Sequence, residues 1–347
     1  MKILGIETSC DECSAAIVED GRKILSNIVK TQIEEHRPFY GVVPELASRK
    51  HLEFITPVVM QSLKEANLTL DEIDAVAATF RPGLIGSLLV GLCFGKALAF
   101  ARGLPFVAVD HIQAHLYAVH LEYDLAYPYL GVIVSGGHTL IAIAESEDEI
   151  NVLGTTVDDA CGEAFDKVAK FYDFGYPGGV AIQNLAREGE PKAFHFPKPQ
   201  LKKGEHRYDV SYSGLKNAVI NQIDQFWNKK YPKTPANIAA SFQKTAIDIL
   251  LERVFRAAQD FKLKVVVFGG GVASNSYLRS CLEKDKELHF VFPSLKLCTD
   301  NAAMIAGLAY HQFKKYGPSP FSQPAEARVK AFRKNIEYER KSRYNEH

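Results

Sequence analysis

The sequence has no excess of either charge: 41 Lys and Arg balance 41 Asp and Glu, a formal net charge of +0. No overall positive field exists to draw in nucleic acid, so any RNA binding must come from local basic patches or from a partner. Cysteine is sparse. The six, at positions 10, 13, 93, 161, 281 and 298, suggest no disulfide framework. Only Cys10 and Cys13 form a CxxC, and no second ligand pair follows to make it a zinc or redox site. Long unbroken apolar runs are missing too. Leu84 to Ala101 is interrupted by Ser87, Lys96 and three glycines, which reads as a buried helix rather than a membrane span. The N-terminus passes from one Lys into a β-like alternation, without the apolar segment and cleavage site of a secretory signal, so a cytoplasmic protein with no membrane attachment is expected.

What is present is ordinary globular material, 347 residues with 47% hydrophobic and 24% charged, which excludes disorder, collagen and coiled coil and suggests two domains. Three short strands come first, Lys2 to Thr8, Cys13 to Glu19 and Lys23 to Lys30, the last two joined at Asp20-Gly21. A helix opening at Pro44, a strand Ala75 to Thr79, the helix Leu84 to Ala101 and a strand Pro105 to Val109 follow. The same βββαβαβ order then returns: strands Tyr129 to Val134, Thr139 to Ala144 and Val152 to Thr156, helices, Val265 to Phe268, a helix, and Phe290 to Phe292.

Four turns carry polar or glycine-rich chemistry. Thr8 to Cys13 links the first two strands, and its Asp11 and Glu12 can bind a metal or accept a proton. Ser135-Gly136-Gly137-His138-Thr139 occupies the equivalent hairpin of the second unit, where paired glycines let backbone N–H groups approach an anion. Gly269-Gly270-Gly271-Val272 leads from a strand towards a helix containing Asn275. His111 and His115 lie one helical turn apart, able to reach a single ion, with Asp300 as the best third ligand; two His and one carboxylate suit ferrous iron or zinc.

A tandem βββαβαβ repeat resembles the actin, Hsp70 and sugar-kinase superfamily, an α/β class of two ribonuclease H-like lobes whose sheets face one another across a nucleotide-sized cleft. On that resemblance the first lobe spans 1–110 and is completed by a C-terminal helix at about 301–325. The second spans 111–300, with an insertion rich in Pro and Lys at about 191–212, and a basic tail covers 326–347.

More specific matches run along almost the whole chain: Ile6 to Glu12, Gly41 to Arg49, His111 with His115, Ser135 to Thr139, Gly162 to Lys167, Tyr176 to Gly179, Ser213 to Lys216, and Thr299 to Asn301. Together they resemble the bacterial TsaD family of tRNA threonylcarbamoyladenosine transferases. The resemblance implies transfer of a threonylcarbamoyl group from threonylcarbamoyl-AMP to the exocyclic amine of the adenosine 3′ of the anticodon, in tRNAs reading codons that begin with A. It further implies Fe2+, with Zn2+ as the alternative, on His111, His115 and Asp300. Ile133, Val134, Ser135, Gly136, Gly137, Asp166, Gly179 and Asn275 would hold the acyl-adenylate. The implied partners are a TsaB-like paralogue and a TsaE-like ATPase, with ATP used by the partner complex. Asp11 or Glu12 would take the amine proton. The chain departs from the family pattern at Cys13 (usually Thr), at Arg81-Pro82-Gly83 (usually Gly-Pro-Gly), at Asp110 (commonly Asn or His) and at Gln183.

Two other functions compete. A small-molecule kinase of the same fold would need no His pair, and a nucleotide-binding scaffold without turnover would need neither His nor Asp300. A metallopeptidase is disfavoured because Ile112, not Glu, follows the first His. Two further surfaces are expected. The helix from Pro44 and the glycine-bearing helix after Leu84 would bundle with a paralogue, with Gly91 and Gly95 permitting close packing. Phosphates of tRNA would meet Lys198, Lys202, Lys203 and Arg207 of the insertion, or Lys330, Arg333, Lys334, Arg340, Lys341 and Arg343 of the tail.

Overall fold

The computed structural model describes residues 1–199, 201, 206–283 and 285–328. The chain opens with a meander, β1 (Lys2–Glu7), β2 (Glu12–Glu19) and β3 (Lys23–Thr31), then a short α1 (Ile33–His36) and the long α2 (Pro44–Ala66). Pro44 sits at the start of α2, where its missing N–H costs nothing, and Asn67 ends the helix in the left-handed conformation at φ 54°. Next come β4 (Ala75–Arg81), α3 (Ile85–Arg102), β5 (Phe106–Asp110) and α4 (His111–Tyr117).

The second half repeats the plan with β6 (Tyr129–Val134), β7 (Thr139–Ala144), β8 (Ile150–Thr155), α5 (Cys161–Phe171), α6 (Gly178–Ala186), α7 (Ser213–Asn221), α8 (Pro235–Asp260), β9 (Val265–Gly269), α9 (Ser276–Leu282) and β10 (His289–Val291). The chain then adds α10 (Leu295–Cys298) and α11 (Ala302–Tyr316).

Each half forms a five-stranded mixed sheet, ordered β3-β2-β1-β4-β5 and β10-β9-β6-β7-β8, so corresponding strands occupy corresponding places. In both, the meander pairs antiparallel and the later strands add in parallel. The repeat expected from the sequence is therefore present in the pairing itself.

The chain divides into two compact units. Unit 1 contains Met1–Tyr127, Glu145–Glu149 and the described residues from Pro293 onward; unit 2 contains Pro128–Ala144 and Ile150–Phe292. By contacts α4, assigned above to the second lobe, belongs to unit 1, where it packs on α11.

In unit 1 the central strands are buried on both faces, which is why β1 reads as a nearly continuous apolar run. Ile3, Ala16 and Val18 join one core with Met304, Ile305 and Leu308 of α11. Leu4, Ile6 and Ile17 join another with Ile55 and Val59 of α2 and Leu92 of α3. Gly5 lets α11 press against β1, since a Cβ there would stand 2.5 Å from the Ala302 carbonyl oxygen.

The glycines of α3 serve the same end. A Cβ on Gly91 would collide with Thr8, and one on Gly95 would stand 3.2 Å from Ala78 Cβ. Both glycines thus pack within unit 1, correcting the expectation that they line a surface for a paralogue. The outward face of α3 carries Ile85, Leu89 and Phe100 instead. α3 is long and apolar enough to cross a membrane by length and composition, and in this fold it lies against β4 and α2.

Candidate functional site

The parallel strands β1, β4 and β5 deliver chemistry from their C-terminal ends. β5 stops at Asp110, whose Oδ1 accepts from the backbone N–H groups of Ile112 (2.9 Å) and Gln113 (3.2 Å) and so starts α4. One turn separates His111 from His115, and their rings meet edge to face with centroids 4.5 Å apart. Asp300 Oδ1 lies 3.1 Å from His115 Nε2 and 3.6 Å from His111 Nε2. Capping of α11 falls to Asn301, whose side chain accepts from Met304 N at 3.1 Å, so the neighbouring Asp300 faces the imidazoles.

The three sequence-selected ligands therefore come together, with one ligand atom from each within 4.8 Å of the others. Both histidines are buried, and among the described residues His115 Nδ1 has no hydrogen-bond partner. Burial, and then the neighbouring His111 charge, push His115 below the usual histidine range, which favours the neutral, ligating form. Two imidazoles and a carboxylate, largely withdrawn from water, fit a divalent transition metal.

Behind His111 stands Glu7, wholly buried at the end of β1. Its Oε2 lies 2.9 Å from His111 Nδ1 and accepts from Thr79 Oγ1 at 2.7 Å, while Oε1 accepts from Ser9 N–H at 2.5 Å. Burial alone would raise the Glu7 pKa, but His111 outweighs it and holds the carboxyl below its usual value. For His111, burial opposes the charge, yet Glu7 and Asp300 overcome it and raise the pKa to about 9.

Asp11 and Glu12 lie where β1 turns into β2, in the same unit. Burial first, then the negative charges of Asp11 and Asp300, push Glu12 well above the usual carboxylate range. Cys13, the second cysteine of the CxxC, is buried in the core shared with α2 and α3, and its thiol is pushed up to about 12 by burial and then by Glu7. It packs as an apolar side chain, in keeping with the weak redox signal of the motif.

In unit 2 the turn after β6 is pinned to α5: Gly162 N donates to the Ser135 carbonyl at 3.1 Å, and Cys161 N to Thr139 Oγ1 at 2.9 Å. Asp166 Oδ1 in turn accepts from Gly178 N at 2.8 Å, joining α5 to the start of α6. Ile133 and Val134 have side chains buried in the sheet. Among the described residues nothing lies within 4 Å of a Cβ position on Gly136, Gly137 or Gly179, leaving their backbone accessible to a ligand. Asn275 caps α9 by accepting from Leu278 N at 3.0 Å, and its amide N–H donates to Gln243 Oε1 at 3.0 Å. Gln183 accepts from Ser276 N at 2.7 Å, bringing α6 to the same helix start.

Glu7, Thr79 and the Arg81–Asp110 pair are absent from the sequence-selected site. Glu7 lies within the Ile6 to Glu12 match and Asp110 adjoins His111, but the side chains they pair with, His111 for Glu7 and Arg81 for Asp110, stand 104 and 29 residues away.

Residues 23–307 match the family model described as TsaD: tRNA N6-adenosine threonylcarbamoyltransferase. A curated relative from Treponema denticola, named tRNA N6-adenosine threonylcarbamoyltransferase, is 63% identical over 334 residues, covering 96% of this chain and 99% of the relative. Among solved structures, full-length HypF in its phosphate- and nucleotide-bound form has a TM-score of 0.59 at 14% identity, over 92% of this chain and 56% of that one. Component A of the (R)-2-hydroxyglutaryl-CoA dehydratase of Acidaminococcus fermentans has a TM-score of 0.54 at 15% identity, over 91% and 98%. Such distant likenesses speak for the fold alone, two α/β units each built on a five-stranded mixed sheet. The family match and the near full-length relative settle the narrower question: this chain belongs to the TsaD family, the tRNA N6-adenosine threonylcarbamoyltransferases.

Proposed function

We propose that the chain transfers the threonylcarbamoyl group from threonylcarbamoyl-AMP to the exocyclic amine of the adenosine 3′ of the anticodon, in tRNAs reading codons that begin with A. The observation that carries the mechanism is the assembly of His111, His115 and Asp300 in unit 1, which a kinase of this fold or a scaffold would not need. A transfer to an aryl amine from an anhydride with a good leaving group asks mainly for alignment, carbonyl polarisation and a proton acceptor.

In unit 2 the exposed backbone of Gly136 and Gly137, with Ser135 and Gly179, receives the nucleotide, and Asp166 holds the start of α6 in place through Gly178. Ile133 and Val134 contribute main chain only, and Asn275 fixes the start of α9. His111, His115 and Asp300 would hold Fe2+, or Zn2+ in its place, which when bound would supply Lewis-acid polarisation of the carbonyl or an anchor for the adenylate. Attack by the amine forms the new N–C bond as the C–O bond to AMP breaks, AMP leaving with that electron pair. The amine proton passes to the Asp11–Glu12 pair.

We assign the chain to the cytoplasm, with a TsaB-like paralogue and a TsaE-like ATPase that uses ATP. Exposed apolar side chains on α2 (Leu52, Met60) and α3 (Leu89, Phe100) offer the paralogue a surface. For tRNA the insertion has fewer available cations than its composition suggests. Lys198 pairs with Asp248 and Glu252, and Arg207 with Asp260. Lys202 and Lys203, like the tail cations Lys330, Arg333, Lys334, Arg340, Lys341 and Arg343, lie outside the described residues.

Mass analysis of nucleosides from tRNA incubated with the chain, its partners, threonine, bicarbonate and ATP should show threonylcarbamoyladenosine. Unmodified tRNA under these conditions, with the partner complex assembled, would refute the reading.

A further inference from the structure

We propose that Glu7 is a positioning residue for the metal group, keeping a proton on His111 Nδ1 so that the Nε2 lone pair is the one offered towards Asp300 and the ion. The proposal rests on the metal reading above and adds a residue to it. A buried carboxylate is tolerated only where donors fill its lone pairs, and Glu7 meets three: Ser9 N–H, Thr79 Oγ1–H and the His111 ring. A carboxylate only accepts. Were Nδ1 unprotonated, two lone pairs would confront each other at 2.9 Å, so the contact itself selects the Nδ1–H form.

The placement follows from strand order. Glu7 ends β1, Thr79 lies near the end of β4 and His111 follows β5, and these three strands are parallel neighbours in the sheet. The carboxylate, hydroxyl and imidazole therefore meet at one end of the sheet, Glu7 lying 72 residues from Thr79 and 104 from His111 in sequence. Histidine ligands whose second nitrogen donates to a carboxylate gain basicity and a fixed ring orientation, and losing such a partner costs about 10–100-fold in metal affinity.

Glu7→Gln tests this. A glutamine has one oxygen to set against the immovable Ser9 N–H and the His111 ring, so its NH2 group must face one of them. Chelator-competition titration with Zn2+ alone should show about 10–100-fold weaker binding in the folded Gln variant. Nitrogen-15 spectra recorded above about pH 9, where the metal-free ring is neutral, should show the His111 Nδ1–H in the wild type, both metal-free and zinc-loaded, its loss in Glu7→Gln, and its retention in Thr79→Val. A wild type whose His111 Nδ1 carries no proton overturns the proposal, as does undiminished zinc affinity in folded Glu7→Gln. If wild type and His115→Ala both fail to bind Zn2+, the metal reading fails, and the Nδ1 proton in the metal-free protein alone decides the role of Glu7. That spectrum needs no variant, so misfolding of Glu7→Gln leaves it decisive.

Discussion

Asp110 accepts from Arg81 Nε at 3.0 Å through Oδ2 while its Oδ1 caps the helix that carries both histidines. Arg81 and Asp110 are two of the positions at which the chain departs from the family pattern, and they are partners. The Asp110 side chain is only 4% exposed, and burial raises its pKa despite the opposing backbone donors and Arg81. Arg81→Gly should therefore cost about 1–3 kcal/mol, less than a fully buried pair because Arg81 retains 28% exposure. Adding Asp110→Asn, which keeps a capping side chain, should recover most of the loss in thermal unfolding. Simple addition of the two single effects would show that the residues are uncoupled.

The glycines of unit 2 should separate by role. Gly137→Val meets open space, so the protein should fold with unchanged melting temperature while calorimetry shows weaker binding of an adenylate analogue. A Cβ on Gly178 would stand 2.6 Å from Asp166 Cα, so Gly178→Ala should lower stability by about 1–3 kcal/mol. Equal melting temperatures for the two variants would contradict this division.

Gly91→Ala should destabilise unit 1. The methyl would strike Thr8, whose Oγ1 is already committed to the Ser87 carbonyl at 2.9 Å and cannot turn aside without losing that bond. A loss of about 1–3 kcal/mol is expected, against under about 1 kcal/mol for the exposed Leu89→Ala. Denaturant unfolding measures both, and a neutral Gly91→Ala would return Gly91 to the list of surface positions.

His120 supplies a pH dependence. It stacks between Tyr117 and Tyr127, at 5.5 and 4.9 Å between ring centroids. Burial lowers its pKa to about 4, helped by His311 and Arg22 and opposed by Glu147 and Asp124. The unfolded chain takes up this proton below about pH 6.5, whereas the folded chain resists until about pH 4. Stability present above pH 6.5 is thus lost as the pH falls through that window, about 2 kcal/mol between pH 7 and pH 5. His120→Gln should remove that part of the slope in thermal melts; identical slopes would place the titration elsewhere.

Much of this architecture was legible in the chain. Strand boundaries, the Pro44 helix start and the tandem order follow from local periodicity and turn chemistry, because each depends on residues a few positions apart. His111 and His115 were readable for the same reason, one helical turn separating them. Tertiary structure decided the remainder. Asn301, and not its neighbour Asp300, caps α11, which leaves the carboxylate to a histidine 185 residues away. Gly91 packs inward because β1 brings Thr8 beneath α3, although an apolar, glycine-bearing helix pattern fits either face. Glu7 reads as one more polar residue ending a strand until β4 and β5 align beside β1 and bring Thr79 and His111 to its carboxylate. Periodicity specifies which elements form; the sheet order determines which of their ends meet, and the chemistry of this site is built from those meetings.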